Sequence, residues 1–254
     1  MKKKFLKVGV IGCGRVFDHY MDLFTKKKIP LMKIVACCDK NLKIFNKKKL
    51  SKDIKNYTKL SDMLNRENLD LVLILSPSGL HFKHAKYAME KGMNVLSEKP
   101  MSLKVHHCKE LIKISMKKKV FFGVVYQNRL NNAIQFLRKE IQSNKMGKII
   151  FCNVRLIWCR DNKYYSDGWH GTWHMDGGVL NQQLIHHLDA MINVVSEITE
   201  INSFSSTIVN KLECEDTISA SFKLKNGGLG QIIGTTGFRP KDTEASIELI
   251  TNKG

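Results

Sequence analysis

The chain has 254 residues, 43% of them hydrophobic, which is enough to form a core in one large α/β domain or in two smaller domains. Its formal net charge of +19 comes mainly from lysines, some of them in triplets, without the interleaved aromatic residues on which nucleic-acid bases stack. The charge therefore indicates a solvated surface that helps to attract an anionic substrate, and it argues against a nucleic-acid partner. The triplets are Lys2–Lys4, Lys26–Lys28, Lys47–Lys49 and Lys117–Lys119.

The cysteines and the apolar runs bear on location. The seven cysteines are odd in number and lack the spacing of metal ligands, so we expect reduced thiols, a cytoplasmic protein and no metal site. The apolar run Val8–Ile11 is interrupted by Gly12 and Gly14, too early for the hydrophobic part of a signal peptide. No uninterrupted apolar run approaches ~18 residues, so no membrane span is predicted.

The first predicted element is the strand Val8–Ile11, and it leads into the sequence IGCGRV and a helix from about Arg15. A strand, a Gly-x-Gly turn and a helix form the dinucleotide-binding motif, in which Gly12 and Gly14 let the backbone approach a pyrophosphate at the helix N-terminus. Phe17 stands where this motif normally has a third small residue. The motif alone leaves a dinucleotide-binding turn and an ordinary strand-helix connection as alternatives.

The second predicted strand, Lys33–Cys38, ends at Asp39. An acidic residue at this place suits hydrogen bonds to the hydroxyls of the adenosine ribose, and it repels a 2′-phosphate. The pattern therefore favours NAD over NADP, although Lys40 beside it weakens that preference. The alternative is that Asp39 is a turn residue.

Further strands alternate with helices up to residue 126. The continuous apolar run Asp70–Leu75 is typical of a strand buried on both faces of a parallel sheet, and the short strand Asn94–Leu96 precedes Ser-Glu-Lys-Pro. Lys99 therefore lies at the carboxyl end of a strand, where open α/β sheets bind ligands, and it is a candidate catalytic group. Its alternative is a surface lysine in a turn. We predict a doubly wound Rossmann domain over residues 1–126.

The second half, residues 127–254, has another pattern. After a helix over Asn131–Ser143, long strands follow one another through short polar turns, which predicts an α+β domain with a mostly antiparallel, open-faced sheet. A helix over Val179–Val195 interrupts them and places Gln182 and His186 on one face. The predicted strands are Lys148–Trp158, Thr199–Val209, Asp216–Leu224, Gly228–Thr235 and Ala245–Thr251.

Three segments, IGCGRV, SPSGLHFKHAKYAMEKGMNVLSEKPMSL and GGVLNQQLIHHLD, resemble the Gfo/Idh/MocA family of nicotinamide-dependent sugar oxidoreductases. The resemblance covers essentially the whole chain and implies NAD as cofactor, Lys99 as catalytic lysine and His186 as active-site histidine. Gln182 stands where the family pattern D-x-x-x-H-x-x-D begins with aspartate. The cofactor-binding residues implied are Gly12, Gly14, Arg15, Val16, Asp39, Ser76, Ser78, His81, Glu98 and Asn128.

The segment WCRDNKYYSDGWHGTWHMDGG is similar to one branch of the family, which oxidises carbon 3 of UDP-N-acetylglucosaminuronic acid for bacterial surface polysaccharides. This resemblance implies a nucleotide-sugar 3-dehydrogenase, in which Arg160 binds the anionic groups of the substrate. The alternatives are a surface role for Arg160, a family member acting on inositol, a hexose or another nucleotide sugar, and a protein without catalysis. The implied substrate-binding residues are Lys99, Arg160, Tyr165, Gln182 and His186.

Two further expectations concern assembly and extent. The open face of the second-domain sheet and the family resemblance predict a homodimer or homotetramer. Family members usually continue beyond a strand like Ala245–Thr251, so we expect that the sequence ending at Gly254 is a truncated protein or leaves an unpaired sheet edge. A zinc site at His186, His187 and Asp189 is disfavoured because adjacent helical residues diverge.

Overall fold

The computed structural model describes residues 5–26, 28–48 and 50–253, and the chain divides into two compact units between Val125 and Tyr126. This division lies one residue before the expected boundary. Of the residues discussed above, Lys2–Lys4, Lys27, Lys49 and Gly254 lie outside the described part.

The first unit contains a parallel six-stranded sheet. Its strands are β1 (Leu6–Ile11), β2 (Met32–Cys38), β3 (Lys55–Tyr57), β4 (Leu71–Ile74), β5 (Asn94–Ser97) and β6 (Phe122–Val124). Their order in the sheet is β3-β2-β1-β4-β5-β6. The chain moves outward from β1 in one direction and then returns to add β4 on its other side, which makes the sheet doubly wound. Ligands of such sheets bind at the carboxyl ends of the strands, at the point where the strand order reverses.

Helices pack on both faces of this sheet because its strands are apolar on both faces. Val8 and Val10 of β1 belong to one buried cluster, and Ile11 belongs to a second cluster on the other face. Phe17 is fully buried in the first cluster, so the large residue at the third motif position serves as a core contact between helix and sheet. The helices are α1 (Arg15–Thr25), α2 (Lys43–Lys48), α3 (Leu60–Arg66), α4 (His81–Glu90) and α5 (Val105–Lys118).

The second unit contains a five-stranded sheet and α-helices. The elements are α6 (Asn132–Gln142), β7 (Ile149–Ile157), α7 (Asn162–Tyr165), α8 (Ile185–Val194), β8 (Ile198–Ser206), β9 (Thr217–Leu224), β10 (Leu229–Thr235) and β11 (Glu244–Thr251). The order of the strands in the sheet is β11-β7-β10-β9-β8. Three of its strand pairs are antiparallel, and β10 runs parallel to β7, so the sheet is mixed and mostly antiparallel as predicted.

One face of the second sheet carries the core. Along β9 the residues alternate between buried and exposed, and the buried ones pack with Leu184 and Met191. The segment Leu180–Leu184 before α8 is a π-helix, not the regular α-helix predicted from the sequence. Glu215 binds its start, since the Glu215 carbonyl accepts the N–H of Val179 and the carboxylate accepts that of Leu180 at 3.1 Å. The wider π turn buries three consecutive residues, Gln182, Gln183 and Leu184.

No helix in the described ranges is both long enough and apolar enough to cross a membrane.

Candidate active site

The glycine turn after β1 leaves the N-terminus of α1 open. Gly12 has a φ of +91°, and a Cβ atom there would lie 2.7 Å from the backbone nitrogen of Ser76, so a side chain is excluded. Gly14 is the N-cap of α1 without a side-chain hydrogen bond, and nothing lies within 4 Å of the place where its Cβ would be. The N–H groups and the dipole of a helix start attract anions. This open cradle fits the pyrophosphate of a dinucleotide.

Asp39 stands at the end of β2, beside the glycine turn. Its Oδ2 accepts the N–H of Cys13 at 2.9 Å, and its Oδ1 accepts the N–H of Asn41 at 2.9 Å. These two bonds fix the carboxylate, and each oxygen keeps a further lone pair that can accept a ribose hydroxyl. Arg15 and Val16 are exposed in the first turn of α1, next to the same cradle. A fixed carboxylate beside the cradle suits NAD, and Asp39, Arg15 and Val16 stay predicted cofactor-binding residues.

The segment after β4 holds three predicted cofactor residues, and all three are buried. Ser78 and His81 are 3% and 1% exposed, and Ser76 Oγ hydrogen-bonds Nδ1 of His84 at 2.9 Å. Burial lowers the pKa of His84 to about 4, so its ring is neutral near pH 7. Burial also lowers the pKa of His81, whereas hydrogen bonds to the carbonyls of Pro100 and Ser76 oppose that shift.

Lys99 lies in the turn after β5 and is partly buried. The N–H of Glu98 donates to the carbonyl of Ile74 at 2.9 Å, which extends the pairing of β5 with β4 to the edge of the turn. One carboxylate oxygen of Glu98 accepts the hydroxyl of Tyr20 at 2.8 Å. Burial, and then the charge of Glu98, raise the pKa of Tyr20, so the tyrosine keeps its proton and acts as donor.

Arg160 of the second unit sits against aromatic rings and an acid. Its guanidinium carbon lies 4.7 Å from the centre of the Trp158 ring and 5.6 Å from that of Tyr164. One guanidinium nitrogen donates to Asp242 at 2.9 Å, and the side chain of Asp242 is 46% exposed. A cation stacked on rings, with a partly exposed acid as partner, is suited to exchange that acid for an anionic ligand.

The neighbouring tyrosines are neutral hydrogen-bonding groups. The hydroxyl of Tyr165 bonds Thr236 at 2.8 Å, and burial raises its pKa to about 12. The hydroxyl of Tyr164 accepts the side-chain amide of Gln183 at 3.2 Å, and burial raises its pKa as well. Together with Arg160 these residues form a contact group that offers rings, hydroxyls and one cation, which are the groups that sugars and nucleotides contact.

The helical segment with Gln182 and His186 adds two predicted groups. Gln182 is 7% exposed, and His186 is half-buried at the start of α8. His187 packs edge-on against Trp158 with ring centres 6.2 Å apart, and burial lowers its pKa. Asp189 is engaged elsewhere, since both of its oxygens accept from the guanidinium of Arg129 at 2.6 and 2.7 Å.

The described residues contain no group of three or more His, Cys, Asp or Glu side chains that could hold a metal ion.

The structure thus places most of the predicted residues in two groups, one in each unit. The first group lies at the carboxyl ends of β1, β2, β4 and β5. In the second unit Arg160 and Tyr165 share the contact group, and Gln183 links it to the π-helix that carries Gln182. Asn128 lies in a short 3₁₀-helix, Gln127–Leu130, at the start of the second unit.

Sequence reasoning missed four residues that shape these groups: Tyr20, Gln183, Glu215 and Asp242. Gln183 could have been found from the sequence, because it is adjacent to the predicted residue Gln182. The other three contact their partners across long stretches of chain, and no local pattern marks them.

Comparisons with known proteins identify the family. The chain matches the Gfo/Idh/MocA oxidoreductase family with NAD-binding Rossmann fold over residues 6–126, and the Gfo/Idh/MocA C-terminal domain over residues 134–254. A curated relative, D-glucoside 3-dehydrogenase of Escherichia coli K12, is 25% identical over 248 residues, which cover 88% of this chain and 68% of the relative.

Two similar solved structures are WlbA dehydrogenases in complex with NADH and UDP-GlcNAcA. The enzyme from Bordetella pertussis has a TM-score of 0.95 and 28% identity, over 99% of this chain and 73% of its own. The enzyme from Chromobacterium violaceum has a TM-score of 0.94 and 29% identity, over the same shares.

Proposed function

Because the chain belongs to the Gfo/Idh/MocA oxidoreductase family and carries its NAD-binding Rossmann domain, we propose that it oxidises the carbon-3 hydroxyl of UDP-N-acetylglucosaminuronic acid. The observation that supports this substrate is the likeness, over 99% of the chain, to two WlbA dehydrogenases bound to NADH and UDP-GlcNAcA. The product would be the 3-keto sugar, for bacterial surface polysaccharides.

The chemistry supplied by bound NAD is the acceptance of a hydride from the oxidised carbon. The chain's own part is to bind the sugar and to take the proton of the hydroxyl. We assign to Lys99 a hydrogen bond to the reacting hydroxyl and to His186 the role of base or proton relay, since histidine titrates near neutral pH. Gln182 does not titrate, so we assign to it the orientation of the sugar.

Substrate recognition is assigned to the contact group of the second unit. Arg160 would bind a carboxylate or a phosphate through its planar fork of N–H donors. Tyr165 would contribute its hydroxyl to a sugar hydroxyl or carbonyl. The exposed edge of Asp242 supports this role, because a ligand anion reaches Arg160 by displacing an acid that solvent already reaches.

A second candidate is the oxidation of carbon 3 of a neutral glucoside. The relative D-glucoside 3-dehydrogenase favours it, at 25% identity over 88% of the chain. The two candidates differ in charge, because a neutral glucoside needs no cationic partner and a nucleotide-sugar acid does. A cytoplasmic location and a homodimer or homotetramer stay predictions.

The test is a nicotinamide absorbance assay with NAD and either UDP-N-acetylglucosaminuronic acid, methyl glucoside or inositol. NADH formation with the nucleotide sugar alone supports the first candidate, and formation with the glucoside alone supports the second. Lys99→Ala is expected to lose at least about 100-fold in turnover, the lower range for a positioned proton-transfer group. A variant that retained a tenth of the wild-type rate would contradict the role of Lys99.

A further inference from the structure

We propose that Tyr20 and His81 are positioning residues that hold the turn of Glu98, Lys99 and Pro100 from two sides. The inference rests on the proposed catalytic role of Lys99. Both residues lie in the first unit, as does the whole turn. We call the two contacts the Lys99 clamp.

The first side of the clamp runs from α1 through a carboxylate. The Tyr20 hydroxyl donates to Oε1 of Glu98 at 2.8 Å, and the other oxygen of Glu98 accepts the N–H of Lys99 at 3.3 Å. The carboxylate thereby bridges a side chain of α1 and the backbone of the lysine. Because Gly14 is the N-cap of α1, the same helix carries the anion cradle and one support of Lys99.

The second side of the clamp runs from α4 through an imidazole. His81 Nδ1 lies 2.7 Å from the carbonyl of Pro100, and Nε2 lies 2.8 Å from the carbonyl of Ser76. The ring therefore links the segment after β4 to the residue that follows Lys99. Carbonyl oxygens only accept, and a neutral imidazole carries one N–H, so the neutral ring donates to one of the two carbonyls and the imidazolium donates to both.

This engagement changes the assignment of His81 from the cofactor to the turn. The residue is 1% exposed, and both ring nitrogens face the main chain, so its polar atoms are occupied within the protein. The residues before and after Lys99 are each bound to a different helix. The backbone of the lysine is therefore fixed at both ends, and misplacement of a catalytic group by about 1 Å can cost about 100-fold in rate.

Tyr20→Phe removes one hydroxyl and keeps the ring. We expect kcat to fall at least about tenfold while KM for the sugar stays within about threefold, because the clamp orients the lysine and does not touch the substrate. The matched control is Tyr87→Phe, which changes a second half-buried tyrosine of the same unit and should leave kcat unchanged. An unchanged kcat in Tyr20→Phe would overturn this side of the clamp.

His81 allows a comparison between two amides. In His81→Asn the amide nitrogen occupies nearly the place of Nδ1 and keeps a donor for Pro100, whereas in His81→Gln it reaches toward the place of Nε2. We expect His81→Asn to retain severalfold more kcat than His81→Gln, with His107→Asn as the control histidine. Equal losses in the two variants would overturn the role of the Pro100 contact.

Amide hydrogen exchange tests the clamp without any substrate. The amides of Glu98 and Lys99 are expected to exchange faster in Tyr20→Phe and His81→Gln than in the two control variants. The amides of α3 serve as an internal reference, and their exchange should be the same in all variants. Unchanged exchange at these amides would overturn the clamp. If the wild-type protein oxidises no sugar, the proposed function fails, and the exchange result still decides whether Tyr20 and His81 hold the turn.

Discussion

The two glycines of the dinucleotide motif differ in what surrounds them, so alanine should separate folding from cofactor binding. At Gly12 an added Cβ would lie 2.7 Å from a backbone nitrogen and 2.8 Å from a backbone carbonyl oxygen, in a conformation with φ of +91°. These contacts are main-chain atoms of Leu75 and Ser76, which cannot move without shifting the end of β4. At Gly14 the φ is −74°, and the place of the Cβ is open.

We expect Gly12→Ala to lower the free energy of unfolding by about 3 kcal/mol, the upper range for one strained backbone position. For a unit of this size the loss corresponds to a melting temperature roughly 10 °C lower. Gly14→Ala should change stability by less than about 1 kcal/mol, because a weaker N-cap and a less flexible unfolded chain act in opposite directions. Its methyl group would occupy the anion cradle, so NAD should bind at least about tenfold more weakly, or about 1.4 kcal/mol.

The assay is thermal unfolding by circular dichroism, together with titration of NADH fluorescence. Wild-type protein and an alanine variant of an exposed position outside the motif serve as controls. If Gly12→Ala melted within about 2 °C of wild type, about a fifth of the expected shift, the reasoning on its backbone contacts would fail. If Gly14→Ala bound NAD as tightly as wild type, the open place at the start of α1 would not be the pyrophosphate site.

Three further predictions concern other contacts. The protein should lose about 2 kcal/mol of stability as pH falls from 7 to 5, because the pKa of His84 is lowered from 6.5 to about 4 by folding and the unfolded state therefore takes up the proton first. In His84→Asn, urea unfolding at the two pH values should show a smaller decline. Asp242→Asn should lower KM for the nucleotide-sugar acid by about two- to fivefold, and leave a neutral glucoside unaffected, because it releases Arg160 from a partly exposed ion pair. Gly178→Ala should cost about 2–3 kcal/mol in urea unfolding, because φ there is +74° and the methyl group would collide with the carboxylate of Glu215.

The architecture was largely predictable from periodicity. Buried runs such as Asp70–Leu75 mark strands covered on both faces, and their alternation with helices predicts a parallel sheet, which the structure confirms. The long strands of the second half likewise predicted the mostly antiparallel sheet. The short strand Lys55–Tyr57 was missed, because three polar and aromatic residues at a sheet edge give no apolar signal.

The local shape of the segment before α8 was not predictable. Its apolar spacing suits an ordinary α-helix, whereas the structure has a π turn, and the start of that turn is bound by Glu215, which lies 35 positions after Leu180. Glu215, in a distant loop, accepts the N–H of Val179 with its main-chain carbonyl and the N–H of Leu180 with its carboxylate. Hydrophobic periodicity records which residues face the core, and it does not record which partner satisfies the helix start.

The same distinction holds for the candidate site. Motifs predicted the site residues that belong to a single turn, such as Gly12, Asp39 and Lys99, because each lies at a strand end that the apolar pattern of the sequence marks. The side chains that contact residues of the candidate site can lie far away in the chain: Tyr20 is 78 positions from Glu98, and Asp242 is 82 positions from Arg160. Such pairs arise when strands and helices pack, so a motif can predict a candidate site residue, whereas the side chain that holds it in place is found only from the fold.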